Sequence, residues 1–216
     1  VDGLALLAAV AGLLAARAPR FDIDAPGKLN ILHVQDLDTG AARFVLDAPD
    51  GVPPELSSGT AWEDTPLSVP WTFRALPVAA APPEPRGGGP EFTRTSSEQR
   101  GELRRVTGTL RARPGARSLH LILPAVAVAS LQIGGRTLDL TQLRSAPDDA
   151  RLVVIHGPPA GGVALVAELR SDAPWTIADS LPGAPASAAA LLAARPPEHV
   201  PYQMGDLRIA LRQIHP

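Results

Sequence analysis

The chain has 216 residues, enough for one large domain or for a domain with appendages. Its net charge of -2, from 20 basic and 22 acidic residues, argues against a general attraction to nucleic acid or to an anionic membrane surface. It has no cysteine, which excludes disulfides, thiolate catalysis and cysteine-bound zinc. Its 24 prolines and 19 glycines cluster between apolar runs, a spacing typical of short strands joined by turns.

The chain opens on an apolar segment at residues 3–16, made of alanine, leucine, valine and glycine. The segment has no polar face at helical spacing, which disfavours a buried helix of a soluble domain. We favour the end of a transmembrane helix, taken as residues 1–17, and place the tail of a signal peptide second. The sequence therefore predicts an apolar helix, a linker at 18–27 and a folded domain over 28–216.

The folded domain begins with a predicted hairpin. Residues 28–34 and 41–46 alternate as two strands, with an aspartate- and glycine-containing turn between them. Residues 69–76 predict a short edge strand. Residues 77–97, rich in proline and glycine, predict a poorly structured loop.

The clearest strand pattern lies over residues 102–133. Small and apolar residues occupy alternate positions over 106–112, and the alternation resumes with leucines over 119–123. A period of two predicts strands with one buried face and one face in water. Two glycines at 134–135 then predict a two-residue turn into a further strand at 136–140.

The C-terminal part predicts a second hairpin, two more strands and a helix. Residues 151–156 and 163–170 are expected to pair around a glycine- and proline-rich turn. Residues 174–179 and 206–214 predict strands, and 185–195 predicts a short helix that two prolines end. About nine strands separated by turns predict an all-β fold, a β-sandwich.

Most catalytic motifs are missing, and one group of residues suits a metal ion. His33, Asp36 and Asp38 place an imidazole near two carboxylates, a set that can hold a divalent cation. A hydrolase built around these three residues is the least favoured of our functional hypotheses. The favoured alternative is that the aspartates shape a hairpin turn and that His33 is an ordinary strand residue, since no third protein ligand is identifiable.

Tryptophans and arginines are two further residue types that could form a binding surface. Trp62, Trp71 and Trp175 suit a carbohydrate or peptide groove, but core or edge packing is the favoured interpretation in a chain with 4% aromatic residues. Five arginines could form a basic face on one sheet: Arg104, Arg105, Arg111, Arg113 and Arg117. The net charge favours a solvated strand face that is balanced by acidic residues elsewhere.

Three stretches together resemble one known family. They are PGKLNILHVQDLDTGAARF at 26–44, directly after the apolar segment, PWTF at 70–73, and RPPEHVPYQMGDLRI at 195–209. They resemble the C-terminal, extracytoplasmic β domain of membrane-bound M28-family zinc peptidases of bacteria. In that family an aminopeptidase-like domain is followed by several transmembrane helices and then by such a domain.

The resemblance implies a non-catalytic accessory domain of a membrane-bound zinc exopeptidase. The catalytic domain and its zinc ions are then expected upstream of Val1, and no cofactor is expected in this chain. The implied partners are the protein's own peptidase and transmembrane domains and the membrane through residues 1–17, with a homo-oligomer left open and no nucleic acid. The β domain is expected on the periplasmic side, although Arg17 and Arg20 favour a cytoplasmic side. The alternative is a secreted or periplasmic β-sandwich module that binds glycan or peptide.

Overall fold

The structure, a computed structural model, describes residues 22–58, 60–65, 69, 75–85, 88–146 and 149–216. These residues form an all-β fold with short helices beside the sheets, and the predicted apolar helix at 1–17 lies outside them. The strands are β1 (Gly27–Lys28), β2 (Asn30–Asp36), β3 (Ala42–Asp47), β4 (Glu63–Thr65), β5 (Leu76–Ala80), β6 (Glu91–Arg100), β7 (Leu103–Arg111), β8 (Ser118–Pro124), β9 (Val128–Ile133), β10 (Arg136–Thr137), β11 (Arg144–Ala146), β12 (Ala150–His156), β13 (Val163–Leu169), β14 (Trp175–Pro182), β15 (His199–Val200) and β16 (Leu207–Ile214). The α-helices are α1 (Pro54–Ser57) and α2 (Ala189–Ala193), and 3-10 turns cover Ala125–Ala127 and Ala186–Ala188. No helix in this part of the chain is long and apolar enough to cross a membrane.

Two sheets face each other across the largest core. The first is antiparallel, in the order β10-β9-β13-β7-β6, and the second has nine strands in the order β11-β12-β8-β14-β16-β2-β3-β5-β4. The five-stranded sheet packs on the β12-β8-β14 part of the larger sheet, because side chains of both sheets share one apolar cluster. Such face-to-face burial of two sheets is the packing of a β-sandwich.

The central strand pattern is confirmed. Leu119, Leu121 and Leu123 of β8 are fully buried in the shared core, as the alternation predicts. Gly134 and Gly135 turn the chain between β9 and β10 with φ values of +57° and +80°, conformations that glycine adopts without steric cost. The sequence therefore specified both the burial and the turn in this region.

The last strand completes the sheet that the first hairpin begins. β2 and β3 pair as the predicted hairpin, and β16 lies between β14 and β2, parallel to β2. Both faces of β2 are buried: Leu32 and Val34 lie in one apolar cluster, and Leu29 and Ile31, at and beside its start, lie in another with α1 and α2. The N-terminal and C-terminal parts of the described chain thus share one sheet.

The predicted hairpin of residues 151–156 and 163–170 is wrong. β12 pairs with β8 and β11 in the nine-stranded sheet, whereas β13 pairs with β7 and β9 in the five-stranded sheet. Each strand directs alternate apolar side chains into the shared core, Val153 from one side and Leu165 from the other. The loop after β12 therefore crosses between the sheets instead of closing a hairpin, a choice that periodicity does not reveal.

The predicted loop at 77–97 is shorter than expected. Most of β5 occupies its beginning, and β6 occupies its end and runs along β7 as a ten-residue strand. β6 is mostly exposed and polar, so it lacks the apolar alternation by which strands are recognised. The C-terminal helix is confirmed, in shorter form, as the turn Ala186–Ala188 followed by α2.

Candidate functional site

A cleft of about 240 Å³ opens on the nine-stranded sheet beside the end of β7. It lies on the sheet face that carries Leu121, where β14, β16 and β2 are no longer covered by the five-stranded sheet. Its lining combines two arginines, a glutamate and an amide with apolar side chains: Gln35, Leu37, Glu84, Pro85, Gly88, Arg113, Leu181, Arg208 and Ala210.

A buried ion pair forms the floor of the cleft. The Asp179 carboxylate, with no exposed surface, accepts hydrogen bonds from Arg113 Nε at 2.8 Å and from the Arg113 backbone N–H at 2.7 Å. Arg113 Nη2 lies 2.7 Å from the same carboxylate and donates to the carbonyl oxygen of Arg208 at 3.1 Å. These bonds tie the end of β7 to β14 and β16, so the charge of Arg113 is already compensated.

The wall of the cleft is the segment that follows β5. Gln35 holds the backbone of Glu84 by accepting its N–H at 3.2 Å, and its amide donates to the Glu84 carbonyl oxygen at 3.5 Å. The Glu84 carboxylate lies 3.5 Å from Arg208 Nη1, and both side chains are partly exposed. Each arginine of the cleft therefore faces a carboxylate, and the site offers a ligand no net charge.

The three metal candidates do not converge. His33 is buried, and its Nε2 lies 3.0 Å from the carbonyl oxygen of Pro82. Asp36 caps the turn by accepting the backbone N–H of Asp38 at 2.9 Å, and Asp38 accepts the backbone N–H of Gln213 at 2.6 Å. The turn-shaping interpretation is thus confirmed for Asp36, whereas Asp38 bonds instead to the backbone of the distant strand β16. Within the described ranges no group of three or more His, Asp or Glu side chains is placed to hold a metal ion.

The tryptophans that the structure describes pack against the protein. Trp175 is fully buried in the core between the sheets. Trp62 is half-buried and donates its indole N–H to the carbonyl oxygen of Leu56 at 2.7 Å. Trp71 lies outside the described residues. The packing interpretation is confirmed for these two side chains.

The arginine set is balanced by acids, as the net charge suggested. Arg104 pairs with Asp172 at 2.6 Å, and Arg113 pairs with Asp179. Arg105 lies opposite Glu98 and Arg111 opposite Glu91 on the neighbouring strand, while Arg117 donates to the carbonyl oxygen of Met204.

A second polar group, which sequence reasoning missed, is buried on the other face of β8. The Ser118 hydroxyl lies 2.7 Å from His120 Nε2 and 2.6 Å from the Ser180 hydroxyl. All three residues are at most 1% exposed. A serine beside a histidine is the pair that nucleophilic catalysis uses, but here it lies inside the protein, where substrate has no access. The period of two predicted a wet face at these positions, so no sequence signal marked them.

Burial makes His120 a weak base. Desolvation, followed by the positive charge of His156, lowers the pKa of His120 from 6.5 to about 4. His120 is therefore neutral near pH 7 and accepts or donates one hydrogen bond to Ser118 without a charge.

We expect stability to fall in mild acid because of His120. Its pKa is lower in the folded protein than in the unfolded chain, so the unfolded chain binds more protons between pH 6.5 and about 4. The contribution of neutral His120 to the free energy of unfolding is complete above this pH window. It declines as the pH falls through the window, by at most about 1.4 kcal/mol per pH unit. Urea unfolding at several pH values measures this slope. His120→Gln should flatten it, whereas the exposed His156→Gln should keep most of it; equal slopes in all three proteins would contradict the assignment.

Comparisons with known proteins give no family assignment. No model of a known protein family matches the chain, and no curated protein matches it.

Proposed function

We propose that the chain is a non-catalytic accessory β domain of a membrane-bound, M28-like zinc metallopeptidase. The proposal starts from the resemblance of residues 26–44 and 195–209 to the C-terminal domain of that family. In this proposal the peptidase activity belongs to an upstream domain, and the β domain contributes a folded body beside it.

One observation carries the proposal: the two long stretches of the resemblance form a single structural unit. The stretch at 26–44 supplies β1, β2 and the start of β3, and the stretch at 195–209 supplies β15 and the start of β16. β1 pairs with β15, and β16 pairs with β2, both in parallel. The two stretches that carry the resemblance are far apart in the chain but are thus neighbours in the fold, as we would expect if the domain of that family depends on them together.

Polar side chains of each stretch also bond to the backbone of the other. Asp206 accepts the backbone N–H of Ile31 at 2.8 Å and the guanidinium of Arg195 at 2.5 Å. Asn30 accepts the backbone N–H of Tyr202 at 2.9 Å. These charged and amide groups hold backbone in place, a structural use that fits an accessory domain.

The position at which the chain begins β1 fits a domain that is held close to a membrane. The N–H of Gly27 donates to the carbonyl oxygen of Glu198 at 2.8 Å, so the chain is fixed at the start of β1. The nine residues at 18–26 separate this point from the proposed membrane helix at 1–17. Nine residues span at most about 32 Å, so such a helix keeps the domain near the bilayer.

An antiserum against the domain tests the proposal on membranes of the native cell. We expect it to precipitate a polypeptide much larger than 22.5 kDa that releases an N-terminal amino acid from an aminoacyl anilide. A zinc chelator should abolish this activity and added zinc should restore it. Recovery of a free polypeptide of about 22.5 kDa outside the membrane would overturn the proposal and favour a secreted binding module.

A further inference from the structure

β6 is the long open edge of this fold. In the part of the chain that the structure describes, the other outer strands of the two large sheets are short: β10 has two residues, and β4 and β11 have three each. β6 has ten residues, Glu91–Arg100, and pairs only on its β7 side. An unpaired edge of this length exposes main-chain donors and acceptors that suit another strand.

A β-bulge divides the side chains of β6 between the two faces of the sheet. The register to β7 shifts between Arg94 and Ser96, and the hydroxyls of Thr95 and Ser96 both lie within 3.0 Å of the Thr107 hydroxyl. Thr95 and Ser96 therefore share the outer face. Counting in both directions from the bulge gives the two faces. The outer set is Glu91, Thr93, Thr95, Ser96, Glu98 and Arg100, and the inner set is Phe92, Arg94, Ser97 and Gln99.

Main-chain groups follow the same division. The hairpin to β7 closes on the pair Arg100 and Leu103 with a two-residue turn, a geometry whose closing pair is hydrogen-bonded. By alternation, the four residues of the inner set direct their N–H and C=O groups away from β7. These are the groups that a further strand would bond.

Two copies of β6, one reversed relative to the other, complement each other as an antiparallel pair whose centre lies between Thr95 and Ser96. An antiparallel second copy then places Phe92 opposite Gln99 and Arg94 opposite Ser97. Every inner residue thus meets an inner residue, and every outer residue meets an outer one. The reversal also aligns the outward-directed main-chain groups of both strands, which a shift by one residue would not do.

The charges agree with the same register. It places Glu91 opposite Arg100 of the other copy at both ends of the paired strands. Arg100 also bonds to Glu98 of its own chain at 3.0 Å, so each arginine would bridge two carboxylates. Opposite charges that face each other across strands stabilise the pairing, whereas like charges at these positions oppose it.

We propose that β6 is a self-association surface, on which β6 of a second copy pairs antiparallel with Glu91 opposite Arg100. The two five-stranded sheets then become one continuous sheet across a twofold axis. Bulges and charges usually protect an edge strand from pairing with other strands. Here they select the partner strand, because an apolar strand or a strand with another order of charges does not match the bulge and the charges of β6. This inference goes beyond the proposed function and does not depend on it.

Charge reversal tests the register in the 216-residue chain, kept in a neutral detergent. Sedimentation velocity over a concentration series should show a monomer–dimer equilibrium. Glu91→Arg and Arg100→Glu should each weaken it about tenfold or more, because each puts like charges opposite each other at both ends. An equimolar mixture of the two variants should dimerise again, since the arginine introduced in one variant then faces the glutamate introduced in the other. Glu102→Arg, the same charge change in the turn outside the paired strand, is the matched control and should leave the dimer unchanged.

Cysteine crosslinking checks the proposal independently of affinity, because the chain has no cysteine of its own. Thr93→Cys mixed with Glu98→Cys should form a disulfide-linked dimer under mild oxidation, since these positions lie opposite each other. Thr93→Cys mixed with Gln99→Cys should not, because Gln99 lies on the other face. A wild-type protein that stays monomeric at all concentrations, a mixture of charge variants that fails to associate, or crosslinking with no preference would each overturn the proposal.

Discussion

Leu121→Asp is expected to unfold the domain. Leu121 has no exposed surface and lies in the middle of β8, between β12 and β14, under the five-stranded sheet. The substitution removes a buried apolar side chain and places a carboxylate where neither water nor a cation compensates it. We expect a loss of more than about 5 kcal/mol of unfolding free energy, comparable with the whole stability of many domains. Circular dichroism and urea unfolding measure it.

An exposed position on the opposing sheet gives the matched control. Gln132 of β9 is exposed, so Gln132→Asp adds the same charge without burying it and should change stability by less than about 0.5 kcal/mol. A Leu121→Asp protein that stays folded and soluble would mean that the register of β8 is wrong. Equal effects of the two substitutions would contradict the assignment of the core.

One-sided burial explains why the central strands were predictable. β7 and β8 turn alternate apolar residues to one shared core, as do Leu131 and Ile133 of β9 beyond its register shift, and that arrangement produces a period of two. The face of β8 that carries Ser118 and His120 did not follow the rule. It is buried too, because the nine-stranded sheet is covered on both sides in this region, and polar residues there look solvent-exposed in the sequence. Periodicity thus identifies the core face reliably and leaves the second face undetermined.

Pairing between distant residues explains most of what the sequence did not reveal. Arg113 was noted only as a member of a basic set, while its partner Asp179 lies 66 positions further along the chain. The assignment of β12 and β13 to different sheets depends on the same kind of long-range choice. A local motif gives no information on such contacts, since they arise from the order of strands in the sheets. The cleft therefore became visible only in three dimensions.

Asp179→Ala is the second change for which we expect a large effect. It leaves the Arg113 guanidinium, whose side chain is 11% exposed, without its carboxylate and also removes the acceptor of the Arg113 backbone N–H. Breaking a buried pair by removing one partner typically costs about 3–5 kcal/mol, because an uncompensated charge remains inside. We expect a loss of this size in urea unfolding.

Two further variants separate the buried charge from the contact itself. Glu98→Ala breaks the ion pair with Arg100, which is also short, at 3.0 Å, but has both side chains more than half exposed. It should cost less than about 1 kcal/mol, since exposed pairs contribute little. The double variant Arg113→Met, Asp179→Leu removes both buried charges and should be more stable than Asp179→Ala. If the double variant is instead the least stable of the three, the pair holds β7, β14 and β16 together through its hydrogen bonds rather than by compensating a buried charge.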